Sequence, residues 1–272
     1  MSPYPQGEVL PPGSDNQAAD PFYAPQSPPV RNRRRSILSA PATYVLVGIN
    51  CAVFVWMVLH GVSPTSPTTN QLVHFGATNP DLILGSGQWW RLFTATFVHV
   101  GIIHIATNMW CLWNLGLLGE PLLGPFGLAA VYVLTGLAGN LLSLAVNVIA
   151  RDHLSVGAGA SGAVFGIAGI LIVLLSNHQL PIPWSELKRL RRSVIQFAGL
   201  NLIIGIGANY TSFVRIDNSA HVGGFLCGLA LGVPLIPRMT SGRVRYLRRQ
   251  KLTFAVFSFM LILFGYWIAN LR

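Results

Sequence analysis

At 272 residues, 52% hydrophobic and only 10% charged, with a mean hydropathy of +0.53, the chain is too apolar for an ordinary water-soluble domain and reads as a membrane protein. Its net charge of +10 does not indicate nucleic-acid binding, because the eighteen Lys and Arg residues stand in short blocks between apolar runs. The three cysteines, Cys51, Cys111 and Cys227, each fall inside an apolar run with neither metal-ligand spacing nor a disulfide framework, so no metal site is expected.

Residues 1–36 carry clustered prolines with Ser, Gln, Asn and Asp and too few aliphatic side chains to bury a core, so they read as a disordered tail. The tail has no signal-peptide apolar region, and the cluster Arg31-Asn32-Arg33-Arg34-Arg35 comes directly before the first span, which predicts a cytoplasmic N-terminus.

Apolar runs of spanning length follow at about 42–60, 101–119, 126–148, 157–176, 193–210, 218–236 and 252–270, given the ~20 residues a helix needs to cross a bilayer core. Seven spans from a cytoplasmic start put the connections 120–125, 177–192 and 237–251 inside. Two of these hold Lys188, Arg189, Arg191 and Arg192, then Arg238, Arg243, Arg245, Arg248, Arg249 and Lys251, whereas the outer connections hold only Arg91, Arg151 and Arg215. That asymmetry supports the segmentation independently of hydropathy. The expected organisation is a tail over 1–36, a six-span core over 37–236, and a basic loop with a seventh span over 237–272.

The first outer connection, 61–100, is long for a loop and contains Trp89-Trp90-Arg91. The two tryptophans fit anchors at headgroup level, which leaves Arg91 without an account. In the second span His104 and Asn108, at i and i+4, share one helix face, either as interhelical hydrogen-bonding groups or as donors aimed at a developing charge. Glu120 lies at the inner end of that span and reads as structural.

The fourth span opens Gly157-Ala158-Gly159-Ala160-Ser161-Gly162-Ala163-Val164-Phe165-Gly166, one hydroxyl among small side chains. With Ala163 at the last position and no readable strand upstream, this is not the nucleophile elbow of soluble hydrolases. Ala158, Gly162 and Gly166, spaced by four, form a small-residue packing face. The sixth span opens Asp217-Asn218-Ser219-Ala220-His221 and repeats small residues at Ala220, Gly224, Gly228 and Gly232, a matching face for the fourth. Spans two, four and six run in the same direction, so His104, Ser161 and His221 are expected in one layer, roughly 5–10 Å below the outer helix ends. Polar groups inside a membrane are costly, and their agreement in depth favours catalysis over packing.

A histidine is the base suited to activating serine near neutral pH, so Ser161 and His221 can form a nucleophile and base pair. The Ser161 backbone N–H at a helix start, with His104 and Asn108, can stabilise an oxyanion. With no carboxylate at that depth, a dyad is expected, and Asp217 reads as the cap of the sixth span.

These residues resemble the rhomboid intramembrane serine proteases, with the likeness covering about 42–236. Gly159-Ala160-Ser161-Gly162 is similar to the family's nucleophile motif, and Ala220-His221 with Gly223, Gly224 and Gly228 to its base motif. His104 and Asn108 resemble its oxyanion pair, Trp90-Arg91 its loop signature, and Leu115-Gly116 with Glu120 its motif after span two. The resemblance implies an all-α polytopic membrane protein, a six-helix rhomboid-like bundle plus one C-terminal transmembrane helix. It implies a serine endopeptidase, without cofactor, that cleaves single-span membrane proteins in or near their transmembrane segment at the outer face. Phe165 stands where many relatives carry a tyrosine that stacks on the histidine, so the ring is kept and the hydroxyl lost. Gly159, Gly162, Phe165, Gly224 and Gly228 are then supporting residues.

Transmembrane protein substrates and the lipid bilayer are the expected partners, and a bacterial plasma membrane the expected location. The stretch from Ala208 to Asn218, with Tyr210, Phe213 and the preceding Gly205 and Gly207, is a candidate lid. A non-catalytic client-binding member of the same fold is the alternative; it predicts a damaged dyad, whereas Ser161 and His221 are both present. A small-solute transporter would show internal repeats and charged, broken helices, and neither is seen.

Overall fold

The computed structural model describes residues 39–210, 217–236 and 242–271, with the side chains of 204–210 outside that description. The tail over 1–36 lies outside the described residues, as do 211–216 and the side chain of Tyr210, on which the candidate lid rests. Eight α-helices follow in order among the described residues: α1 (Pro41–Leu59), α2 (Thr69–His74), α3 (Arg91–Thr94), α4 (Ile102–Ala150), α5 (Ser161–Leu174), α6 (Trp184–Tyr210), α7 (Asn218–Leu235) and α8 (Arg243–Ala269). Of these, α1, α4, α7 and α8 are long and apolar enough to cross a membrane, and α5 is a shorter apolar helix.

α4 holds the expected second and third spans. Gly124, at φ 75° and ψ 165°, breaks it, and Pro125 has no N–H with which to continue the ladder, so the helix divides into residues 102–123 and 125–150. Near that break lies Glu120, 2% exposed, whose carboxylate accepts from the backbone N–H groups of Ala42 (2.9 Å) and Thr43 (2.8 Å) and from the Thr43 hydroxyl (2.7 Å). These amides belong to the first turn of α1, where no intrahelical partner exists, and a carboxylate there also suits the helix dipole.

The connection 61–100 is built rather than open. Thr68 and Gln71 form a reciprocal capping box at α2, a π-helical turn runs over Asp81–Gly85, and α3 follows. Arg91, 6% exposed, ties these pieces together: its Nη1 donates to the carbonyls of Val73 (2.6 Å) and Ala77 (3.0 Å), and its Nε donates to Gln88 (2.7 Å). That accounts for a cation in an apolar setting, since a buried guanidinium requires acceptors. Burial lowers the Arg91 pKa from its ordinary value. Trp89 is half-buried and packs beside Leu92, Ile83 and α8, while Trp90 is half exposed beneath the Arg91 guanidinium.

α5 and α7 meet backbone to backbone. A Cβ on Gly224 would collide with the Gly162 carbonyl, and one on Gly228 with the Gly166 carbonyl. Gly139 of α4 enters the same seam, where a Cβ would lie 2.6 Å from the Ala220 carbonyl oxygen. In lipid there is no hydrophobic force between helices, so such close approach is what holds them together.

Three boundaries differ from expectation. The fourth helix begins at Ser161, not 157, so Ala158 is not on its packing face; Gly159 at φ 134° cannot be helical. At 14 residues α5 is ~21 Å long, shorter than a ~30 Å apolar core. Ser161 is therefore the first residue of a short helix and does not lie one or two turns down a long one. The basic connections are also largely helical: α6 starts at Trp184 and α8 at Arg243, because Lys, Arg and Leu favour helix and extend it beyond the apolar run.

Candidate active site

The backbone before Ser161 is held by the 78–99 segment. Thr78 N–H donates to the Gly157 carbonyl (2.9 Å), and Gly157 N–H bonds the Thr78 hydroxyl (2.9 Å). Gly159 N–H donates to the Ala95 carbonyl (2.9 Å), and Ala160 N–H donates to His99 Nε2 (3.4 Å). Ser161 is then the first residue of α5, and the amides of that first turn have no intrahelical acceptor.

Gly159 is required on two counts, its positive φ and the His104 ring, whose Cε1 would lie 2.6 Å from a Cβ there. His104 Nδ1 accepts from Val100 N–H at 3.2 Å, so in the neutral ring the proton sits on Nε2, the nitrogen beside Gly159. Asn108, one turn on and 7% exposed, spends one amide hydrogen on the His104 carbonyl (2.9 Å) and retains the other. His104 is thus a donor beside Gly159, two residues before Ser161, and Asn108 keeps a donor one turn further along the same helix.

His221 lies in the first turn of α7 and is 6% exposed. Its ring stacks on Phe165, one turn past Ser161, with centroids 4.4 Å apart and planes 10° from parallel. Its Nδ1 is buried with no hydrogen-bond partner among the described residues. Asp217 caps α7, its Oδ1 accepting from Ala220 N–H at 3.0 Å, and its Oδ2 accepts from the Ser143 hydroxyl on α4. The carboxylate is therefore engaged with the helix start and with α4, while the Asp217 backbone carbonyl accepts from His221 N–H at 3.3 Å.

Ser161, His221, Phe165, Gly162 and Gly224 thus gather at one end of the α5–α7 seam, with Gly159 and His104 directly beside it. Gly228 lies one turn deeper and does not reach this end. Sequence reasoning did not single out His99, fully buried, whose ring stands 5.4 Å from that of His104 and whose Nδ1 lies 3.1 Å from the Phe97 carbonyl. The available signal was a histidine ending an apolar segment, with no nearby solvent-facing pattern. The Ser143 partner of Asp217 left no signal, because 74 residues separate them.

Fold and site define an all-α multi-pass membrane protein with a serine at the start of a short apolar helix. Residues 86–238 match the rhomboid domain, and the chain belongs to the rhomboid family. Among its relatives is "Rhomboid protease GluP" of Bacillus subtilis (strain 168), 33% identical over 197 residues, covering 71% of this chain and 35% of that one. "Rhomboid protease AarA" of Providencia stuartii is 29% identical over 224 residues, covering 76% of this chain and 77% of that one. "RHOMBOID-like protein 2" of Arabidopsis thaliana is 32% identical over 176 residues, 65% of this chain and 51% of that one. Against several of these relatives the chain spans about half of their length or less.

Proposed function

We propose that the protein is an intramembrane serine endopeptidase that cleaves single-span membrane proteins in or near their transmembrane segment. In this reading Ser161 is the nucleophile and His221 the general base. The observation that carries it is the Phe165–His221 stack, which holds an imidazole at the seam end where Ser161 begins α5. The relatives described as rhomboid proteases support the same reading.

The Ser161 hydroxyl gives its proton to the His221 ring as its oxygen bonds the scissile carbonyl carbon. The resulting oxyanion is met by the Ser161 backbone N–H, by His104 Nε2–H and by the free Asn108 amide hydrogen. As the C–N bond breaks, His221 returns the proton to the departing amine. Water then adds to the acyl-enzyme, losing a proton to His221, and the ester breaks with that proton returning to Ser161. A peptide bond inside a helix is shielded, so the substrate must unwind locally before attack. An N-terminus on the cytoplasmic side and cleavage at the outer face complete the proposal.

The full chain, reconstituted in liposomes with a panel of single-span proteins, tests it through cleavage-site mapping and labelling by a fluorophosphonate. Cleavage and labelling that both vanish in Ser161→Ala are expected. A folded wild type that binds these proteins without labelling or cutting them would instead make it a client-binding factor.

A further inference from the structure

The region matched to the rhomboid domain ends at residue 238, so α8 lies wholly beyond it. An appended lipid-facing helix needs no polar contact with the core, yet α8 makes several. Gln250 is fully buried, and its Nε2 donates to the Leu123 carbonyl at 2.7 Å; the Tyr246 hydroxyl lies 3.3 Å from the Leu122 carbonyl. Both carbonyls sit where the break at Gly124 and Pro125 ends the helical ladder, so α8 supplies donors that α4 cannot. Arg249 Nη2 likewise donates to the Ile236 carbonyl, just past the end of α7, at 2.7 Å. This end of α8 therefore closes the ends of two other helices.

The other end of α8 packs on the site's supporting loop. Ile268 is fully buried in a cluster with Ile83, Leu92, Leu141 and Leu144, and Phe264 and Trp89 pack against it. Gly265 brings the helix close enough that a Cβ would touch Leu141 Cδ2 and Trp89 Cζ3, each at 3.5 Å. Trp89 and Leu92 begin the stretch whose later residues, Ala95 and His99, accept the Gly159 and Ala160 amides. Leu92 is also fixed from within, its carbonyl accepting from Asn140 Nδ2 at 2.7 Å. The layers run from α8 to the 89–99 loop to the residues immediately before Ser161.

We propose that α8 is a positioning element of the catalytic site, with Gly265 and Ile268 holding the Trp89–Leu92 stretch so that Ala95 and His99 fix the backbone before Ser161. The inference rests on the protease reading for its kinetic readout only. Its effect falls on the nucleophile's placement and not on substrate binding, so it predicts a loss in kcat with KM unchanged.

The test uses the full chain in liposomes and compares Gly265→Phe, Ile268→Ala and the lipid-facing control Ile262→Ala. Three measurements are made: the fluorophosphonate labelling rate of Ser161, kcat and KM on a single-span protein, and hydrogen exchange at residues 157–160. Gly265→Phe should slow labelling and lower kcat about tenfold to a hundredfold, the scale of a displaced reacting group. Exchange at Gly159 and Ala160 should rise with it, and Leu141→Ala, which makes room for the new ring, should restore both. Ile268→Ala should act in the same direction without adding bulk, and decides the matter if Gly265→Phe does not fold. Wild-type labelling and exchange in both variants would overturn the proposal, as would a raised KM with an unchanged labelling rate. A wild type that does not label would defeat the protease reading, and the exchange data would still decide the role of α8.

Discussion

The imidazole of His221 lies flat on the ring of Phe165, 4.4 Å between centroids, so the orientation of the proposed base is set by a side chain on the nucleophile's own helix. Such a stack contributes about 0.5–1.5 kcal/mol beyond simple burial. Phe165→Leu, which keeps most of the volume, should lower kcat about two- to tenfold with little change in KM, and Phe165→Tyr should stay near wild type. Steady-state cleavage in liposomes measures both. An unchanged kcat in Phe165→Leu would remove the ring from the mechanism.

Gly224 has no room for even one carbon, because its backbone touches that of Gly162. Gly224→Ala should force α5 and α7 apart, abolish labelling of Ser161 and lower the thermal midpoint. Gly48 in the middle of α1 has nothing within 4 Å of a Cβ. Gly48→Ala should therefore fold as well as wild type or better, by up to about 1 kcal/mol from helix propensity. Thermal denaturation in detergent separates the two glycines; equal behaviour would mean that the seam does not matter.

Asp217 both caps α7 and accepts from Ser143, which ties the start of the base-bearing helix to α4. Asp217→Ala should cost about 1 kcal/mol for the cap alone, and Asn at the same position should retain most of that. In a double-mutant cycle Ser143→Ala should have a smaller effect in the Asp217→Ala background than in wild type. Additive losses would show that the two side chains act independently.

Glu120 satisfies two amides of α1 and the Thr43 hydroxyl from the other end of the bundle. Hydrogen bonds to a charged group contribute about 1.5–3 kcal/mol each, so Glu120→Ala should destabilise strongly and Glu120→Gln less. The readout is stability, with labelling of the surviving folded fraction near the wild-type rate. A folded, stable and unlabelled Glu120→Ala protein would move Glu120 from scaffold to chemistry.

How much of this was readable in advance depended on range. The spans, the small-residue spacing of α7 and the matching Gly162 and Gly166 are local patterns, and they led to the seam. The start of α5 is not legible in hydropathy, because Gly157-Ala158-Gly159-Ala160 has no polar side chain to set it apart from the helix that follows. Only their bonds to Thr78, Ala95 and His99 show that they form a lead-in held by other segments and not a helical turn. Hydropathy registers transfer free energy, not which carbonyl an amide meets. The contact of Trp89 with α8 is hidden for the same reason, since a tryptophan beside a span looks alike whether or not a distant helix packs on it. His99 and Ser143 act through partners 61 and 74 residues away, and no local pattern encodes such pairs.

The bare seam between α5 and α7 also bears on permeability. Hydrolysis at Ser161, as proposed, requires water there, and an opening that admits water into a bilayer is a potential leak for protons and ions. Below the site the helices leave no gap to wet: Gly228 lies on the Gly166 carbonyl, Gly169 on that of Phe225, and Gly232 against the Val173 side chain. Backbones in contact exclude solvent along the rest of the seam, so water can collect at the serine without a conducting path opening along this seam beneath it.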